Sequence, residues 1–168
     1  MYQVGEKVVY GTHGACEIVS VEKQKVTMQI AEYYVLKPLD KTDSRFLVPT
    51  QNKLALSKLQ PMLSKSELES LLDRVSKEET LWIPEDNQRR QKYKELMSTF
   101  DRASLIGMVH TLNKQKAEYT SAGKKFHLCD EAFLKDVSKL LSSEFSIVLG
   151  IPPEDVMQYI YDKLDNRK

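Results

Sequence analysis

Cysteine is scarce in this chain: Cys16 and Cys129 lie far apart, without a CxxC or a nearby histidine pair. That spacing supports neither a disulfide framework nor a zinc site, and reads as two buried, reduced thiols. Histidine is almost as rare. His13, His110 and His127 show no ligand or triad spacing, so no metal centre or activated nucleophile can be assembled from them. His13 stands between turn residues and is expected to bond its own loop backbone; His110 lies among apolar helical residues, as a satisfied core histidine does. Long apolar runs are missing too. None approaches the roughly 20 residues of a membrane span, and the opening Met-Tyr-Gln-Val-Gly-Glu lacks the basic-then-apolar order of a signal peptide. A cytoplasmic protein without a membrane partner is expected. Gly11–Gly14 lacks the Lys-Ser/Thr that completes a phosphate loop, and it joins two strands rather than a strand to a helix. No cofactor, metal, small-molecule substrate or catalysis is expected on these grounds.

What is present is an ordinary globular composition over 168 residues, 41% hydrophobic and 29% charged. It suffices for the cores of one mid-sized domain or two small ones. The net charge of +1 is unevenly spread: residues 1–60 hold 8 basic and 6 acidic groups, 61–85 hold 3 and 6, 86–125 hold 9 and 4, and 126–168 hold 5 and 8. The basic excess sits in one stretch, where a nucleic-acid contact would be sought.

The apolar period changes along the chain. Up to residue 60, β-branched and aromatic residues alternate with turn formers and predict strands over Lys7–Tyr10, Ala15–Glu22, Val26–Leu36 and Arg45–Val48, a spacing that suggests a small barrel. Gly11 and Gly14 bracket a tight connection expected to need positive φ. Val26, Met28 and Ile30 should share one strand face, continued by Tyr34 and Leu36. The polar run Asp40–Ser44 reads as a hairpin loop. From Ser64 the period is helical. Ser64-Lys65-Ser66-Glu67 is a capping box ahead of Leu68, Leu71, Leu72 and Val75. Three further stripes follow: Tyr93, Leu96, Met97 and Phe100; Leu105, Ile106, Val109 and Leu112; Phe133, Val137, Leu140, Leu141 and Phe145. Ile151–Asp155 starts a last helix with Val156, Tyr159, Ile160 and Leu164 on its apolar side. Between the first two helices, Glu78–Asp86 reads as a linker.

Trp82, the single tryptophan, falls in that linker, outside every stripe. Spacing alone favours an anchor packed between two domains. A sharper alternative is an aromatic wedge that enters a groove or stacks on an unpaired base. Arg89, Arg90, Lys92 and Lys94 follow closely and could neutralise phosphates, although such runs are more often a solvated helix face.

These blocks resemble the CarD family of bacterial transcription regulators, also called the CdnL group. Val4-Gly5-Glu6-Lys7-Val8-Val9-Tyr10-Gly11-Thr12-His13-Gly14-Ala15 is similar to the family's opening motif, and Glu32–Lys37, Val48-Pro49 and Thr120–Lys125 match later blocks. The resemblance implies an α+β protein: a Tudor-like β-barrel over 1–60 that binds the RNA polymerase β subunit, then a helical bundle over 64–168 that binds promoter DNA. It implies that Trp82 wedges into the minor groove at the upstream edge of the transcription bubble, with Arg89 and Arg90 on phosphate. Lys92, Lys124 and Lys125 complete the candidate DNA-binding set. Lys25, Tyr33 and Arg45 are the candidate polymerase contacts, the lysine and arginine chosen on charge and strand position. Two departures from the family stand out. Residues 83–88 intervene before Arg89-Arg90, where many relatives place Arg-Arg-Tyr almost directly after the tryptophan. Lys124 stands where the family has Glu, and is expected to oppose the dipole of the following helix. The expected role is stabilisation of the open promoter complex; the alternative is an adaptor that links polymerase to another protein without touching DNA.

Overall fold

A computed structural model describes residues 1–26, 28–40, 42–78 and 82–166. The chain divides into two compact units, Met1–Met62 and Leu63–Lys168. The first holds β1 (Lys7–Tyr10), β2 (Ala15–Val26), β3 (Gln29–Pro38), β4 (Phe46–Pro49), a short helix α1 (Lys53–Leu56) and β5 (Leu59–Pro61). The strands pair antiparallel in the order β4-β3-β2-β1-β5. Val8, Cys16, Ile18, Tyr34, Leu36, Val48 and Leu59 form one buried cluster that draws on all five strands. Because β4 and β5 are the sheet's two edges, their sharing one cluster requires the sheet to curl around it, as in a small barrel. Gly11 (φ 47°) and Gly14 (φ 75°) both take the left-handed backbone expected of them, at either end of a 3-10 turn.

One strand assignment is corrected. The stretch expected as a single strand over 26–36 is the tip and return arm of a long β2–β3 hairpin, in which Val26 faces Gln29 across the turn. Met28 and Ile30 are therefore 91% and 73% exposed at the tip, whereas Tyr34 and Leu36 are buried further down. The alternation Val26, Met28, Ile30 runs through the turn unbroken, and no Gly, Asn or Pro marks the reversal. The polar run after β3 turns on Asp40, whose Oδ1 accepts from the Thr42 amide at 3.2 Å. Neither α1 nor β5 has a sequence signal: each is under five residues long and lacks a readable period.

The second unit contains α2 (Lys65–Val75), α3 (Asp86–Thr99), α4 (Arg102–Ser121), α5 (Leu128–Leu149) and α6 (Pro153–Asp165). The capping box closes as expected: the Glu67 amide donates to Ser64 Oγ at 3.2 Å, and the Ser64 amide to Glu67 Oε2 at 2.7 Å. Helix α4 is buried on nearly every side over residues 105–112, which makes it the centre of the bundle. The stripes of α2, α5 and α6 close around it in one cluster that includes Leu72, Leu112, Phe145 and Ile160. Helix α3 contributes less, with Arg89 and Tyr93 its buried residues. It ends on Phe100, which holds φ 52° at a position that favours glycine, while its ring packs against the core. The linker read at 78–86 lies between α2 and α3, and its residues 79–81 fall outside the described residues.

Candidate nucleic-acid interface

Arg89 organises the segment that carries Trp82. One turn into α3, its side chain points inward on the Tyr93 stripe and is 2% exposed. Asp130, in the first turn of α5, meets it in a bidentate pair: Nε donates to Oδ1 at 3.0 Å and one terminal nitrogen to Oδ2 at 2.7 Å. That nitrogen also donates to Asp86 Oδ1 at 2.7 Å, and the other donates to the carbonyls of Ile83 at 2.8 Å and Pro84 at 3.3 Å. The guanidinium carbon lies 4.1 Å from the centroid of the Trp82 ring, within cation–π range. One side chain thus ties residues 82–86 to α3 and α5.

A planar fork with five donors can do this; a lysine could not. Burial works against the charged guanidinium, but the hydrogen bonds and charges of Asp130 and Asp86 outweigh it and raise the Arg89 pKa above its ordinary value. The bond from Arg89 in turn holds the Asp86 carboxyl below its usual range.

This geometry corrects the expected phosphate contact at Arg89, because its donors are engaged within the protein and its charge is balanced by two carboxylates. Residues 83–88, which separate Trp82 from the arginines in sequence, loop back over Arg89 instead of displacing it. Glu85 accepts from the amides of Asn87 and Gln88 and caps α3 at that turn. Trp82 is half-buried against the helical core. Arg90, one residue on, is exposed. It lines a cavity of about 300 Å³ together with Asp86, Arg89, Asp130 and the start of α5 at His127, Leu128 and Cys129. Leu128 is 88% exposed at its edge. The exposed side of this site therefore combines Arg90, His127 and an apolar leucine.

The remaining basic candidates stand apart in kind. Lys92 reaches Glu95 at 3.4 Å, a solvent-exposed pair. Lys124 and Lys125 are exposed in the α4–α5 connection. There Gly123 (φ 68°) closes α4: its amide donates to Thr120 O and the Lys124 amide to Tyr119 O, the two bonds of a Schellman cap. Lys124 consequently lies at the C-terminal end of α4, where a positive charge complements the dipole, and not in the first turn of α5 as expected. Tyr119 packs edge-on against both Phe126 and His127 and stiffens the connection.

In the sheet unit Tyr33 pairs across from Glu22 and from Pro49, on the hairpin face opposite that of Lys25 and Ile30. The Glu22 carboxyl is held below its usual range by hydrogen bonds from Ser20 and Gln24, with the Arg45 charge adding to the effect. Tyr33 thus sits across from Glu22, whose carboxyl feels the Arg45 charge, while Lys25 belongs to the other face. The His13 ring stacks on Tyr10 (centroids 5.2 Å apart) and lies tilted against Phe46 (4.1 Å). His110 pairs through Nε2 with Asp165 Oδ1 at 2.9 Å, the satisfied core histidine its stripe suggested. Burial pushes the Cys16 thiol up to about 11. Among the described residues no group of three His, Cys, Asp or Glu could hold a metal ion, and no helix is long and apolar enough to cross a membrane.

Asp130 and Asp86 were not among the candidates read from sequence, although a signal was there. Asp130 falls three residues before Phe133 on the apolar stripe of α5, and Arg89 four before Tyr93 on that of α3. Opposite charges on two apolar stripes announce a buried pair. Comparison with known proteins matches residues 2–60 to the CarD-like/TRCF RID domain. The chain is also 21% identical over 159 residues to YdeB of Bacillus subtilis (strain 168), a candidate transcription factor by its name, over 95% of this chain and 99% of that protein.

Proposed function

We propose that the chain, whose residues 2–60 match the CarD-like/TRCF RID domain, is a transcription-related protein that binds RNA polymerase through that domain and stabilises the open promoter complex without catalysing a reaction. In this reading the sheet unit docks on the β subunit through Tyr33 and Arg45 around Glu22, with Lys25 on the opposite face as a further contact. The helical unit offers Trp82 to the minor groove at the upstream edge of the bubble. Arg90, Lys92, Lys124 and Lys125 contact phosphate, and Arg89 positions the tryptophan from within.

The observation that supports this most is the Arg89 clasp. A half-buried tryptophan braced by a guanidinium, with an exposed arginine next to the brace, is prepared to meet a partner without losing further side-chain freedom. Few phosphates are engaged, so affinity for free DNA is weak and salt-sensitive, and the polymerase supplies effective concentration. A protein that prefers the melted promoter shifts the equilibrium by that difference in affinity.

The test is open-complex lifetime with purified polymerase. Base–aromatic stacking contributes about 1–3 kcal/mol, so Trp82→Ala should shorten the added lifetime by roughly fivefold or more. Equal lifetimes for variant and intact protein would remove the wedge. The packing of Trp82 on its own core favours one second reading, an adaptor in which the tryptophan is structural and the helical unit binds protein. Crosslinking from position 82 separates the two, since DNA adducts support the first reading and protein-only adducts the second.

A further inference from the structure

The cavity of about 300 Å³ beside Arg89 is built where the start of α3 meets the start of α5. At its base lies the buried Arg89–Asp130 pair, whose charges already satisfy each other. Asp86 and Arg90 come from α3, His127 and Leu128 from the head of α5. Two guanidiniums and two carboxylates line the space, so their charges balance. A free anion gains no net attraction there; a neutral ligand with polar edges is suited to it.

Two groups at this cavity have no use within the fold. Leu128 is apolar yet almost fully exposed. Asp86 gives Oδ1 to Arg89, while its Oδ2 receives no hydrogen bond among the described residues. The bond from Arg89 keeps that carboxyl ionised, with the charges of Arg89 and Arg90 adding to the effect, so Oδ2 can only accept. An apolar surface, a guanidinium plane and one open carboxylate oxygen are what grips an unstacked base, whose faces are packed while its edge is read. For scale, a cavity of about 150 Å³ holds benzene, so this one has room for a base.

We infer that this cavity receives one unpaired nucleobase with an amine on its pairing edge, as a melted promoter presents. The base packs between Leu128 and the plane of Arg90, and its amine donates to Asp86 Oδ2. A stacked guanidinium keeps its N–H edges outward, so Arg90 still holds phosphate of the same strand. Arg89 carries the Trp82 ring 4.1 Å away and also lines the cavity, so a base freed where the tryptophan enters a duplex lies close by. The inference rests on the DNA reading for the source of the base, though the binding itself is measured without DNA.

The test titrates deoxyadenosine and purine deoxyriboside, which lacks only the amine, separately into the full chain and follows the Leu128 methyl and His127 ring signals by NMR. Saturable shifts are expected for both, with deoxyadenosine binding about three- to tenfold tighter, the span of one hydrogen bond. Asp86→Ala leaves Arg89 its two bonds to Asp130, so it should fold and level the two affinities. Leu128→Ala should weaken both. No saturable shift in the intact protein would overturn the proposal. So would equal affinity for the two nucleosides, or a deoxyadenosine preference that survives Asp86→Ala. Shifts with N-acetylarginine amide and none with the nucleosides would give the cavity to a protein partner, and overturn it equally. Failure of the wedge reads differently: open-complex lifetimes that ignore Trp82→Ala would leave nucleoside binding standing, and absent nucleoside shifts would leave the lifetime result untouched.

Discussion

The two units solve the problem of charge in opposite ways. Among the described residues, every buried charged side chain belongs to the helical unit: Arg89 with Asp130, and Glu144 with its partner Arg102. Glu144 accepts from Arg102 twice, at 2.7 and 2.8 Å, and from the Leu63 amide at 3.0 Å, so it fixes the entry of the chain into this unit. The sheet unit keeps its charges outside and instead exposes apolar residues along the outer hairpin, including Val21, Val26, Met28 and Ile30. A sheet closed by one apolar cluster tolerates exchange of those outer side chains. A bundle whose geometry is set by buried ion pairs does not, because removing one partner leaves a bare charge in low dielectric.

The sharpest way to break this contrast is Asp130→Ala, which strands Arg89. It should cost about 3–5 kcal/mol in denaturant unfolding and release Trp82, seen as a red shift of the single-tryptophan fluorescence. A loss below about 1 kcal/mol would mean that Arg89 finds water and that the clasp is not structural. Glu144→Gln should cost less, about 2–3 kcal/mol, because Arg102 is 15% exposed and can turn to solvent. Ser64→Ala, which removes the capping box, should cost about 1 kcal/mol. In the sheet unit, Ile30→Thr should change stability by under about 0.5 kcal/mol. A large loss there would show that the exposed hairpin belongs to a core after all.

Acid sharpens the same contrast. Glu67, held low by the bonds from Ser64, and Asp101, held low by those from Ser104, are depressed in the folded state. The stability they contribute is fully present above the unfolded carboxylate value of about 4 and is lost as pH falls through their lower folded values. Melting followed at the helical amides should therefore fall in that window, and Asp101→Asn should flatten the fall.

The fold was legible where a period was long and uninterrupted. Leu68 to Val75 and Val137 to Phe145 announce helices because each repeats over two turns or more, the first behind a capping box. The hairpin tip was not legible, because alternation is blind to chain reversal and Lys25-Val26-Thr27-Met28-Gln29 offers no turn former. At the candidate site Trp82 stood out by composition alone. The role of Arg89 did not, since its partner lies on another helix and only the fold brings the two stripes together. Lys124 was misread for the same reason in miniature: a cap belongs to the helix it ends, and sequence does not say whether Gly123 ends one helix or precedes the next.

The clasp also sets a schedule. Residues 1–62 form their unit from contiguous chain, so it can fold while the rest is still being made. Trp82 emerges next but lacks its seat, because the carboxylate that fixes Arg89 arrives only with Asp130 at the start of α5. During synthesis the sheet unit can therefore be complete while the tryptophan is still unplaced. A chain cut short between these points would carry the CarD-like/TRCF RID domain without the braced tryptophan.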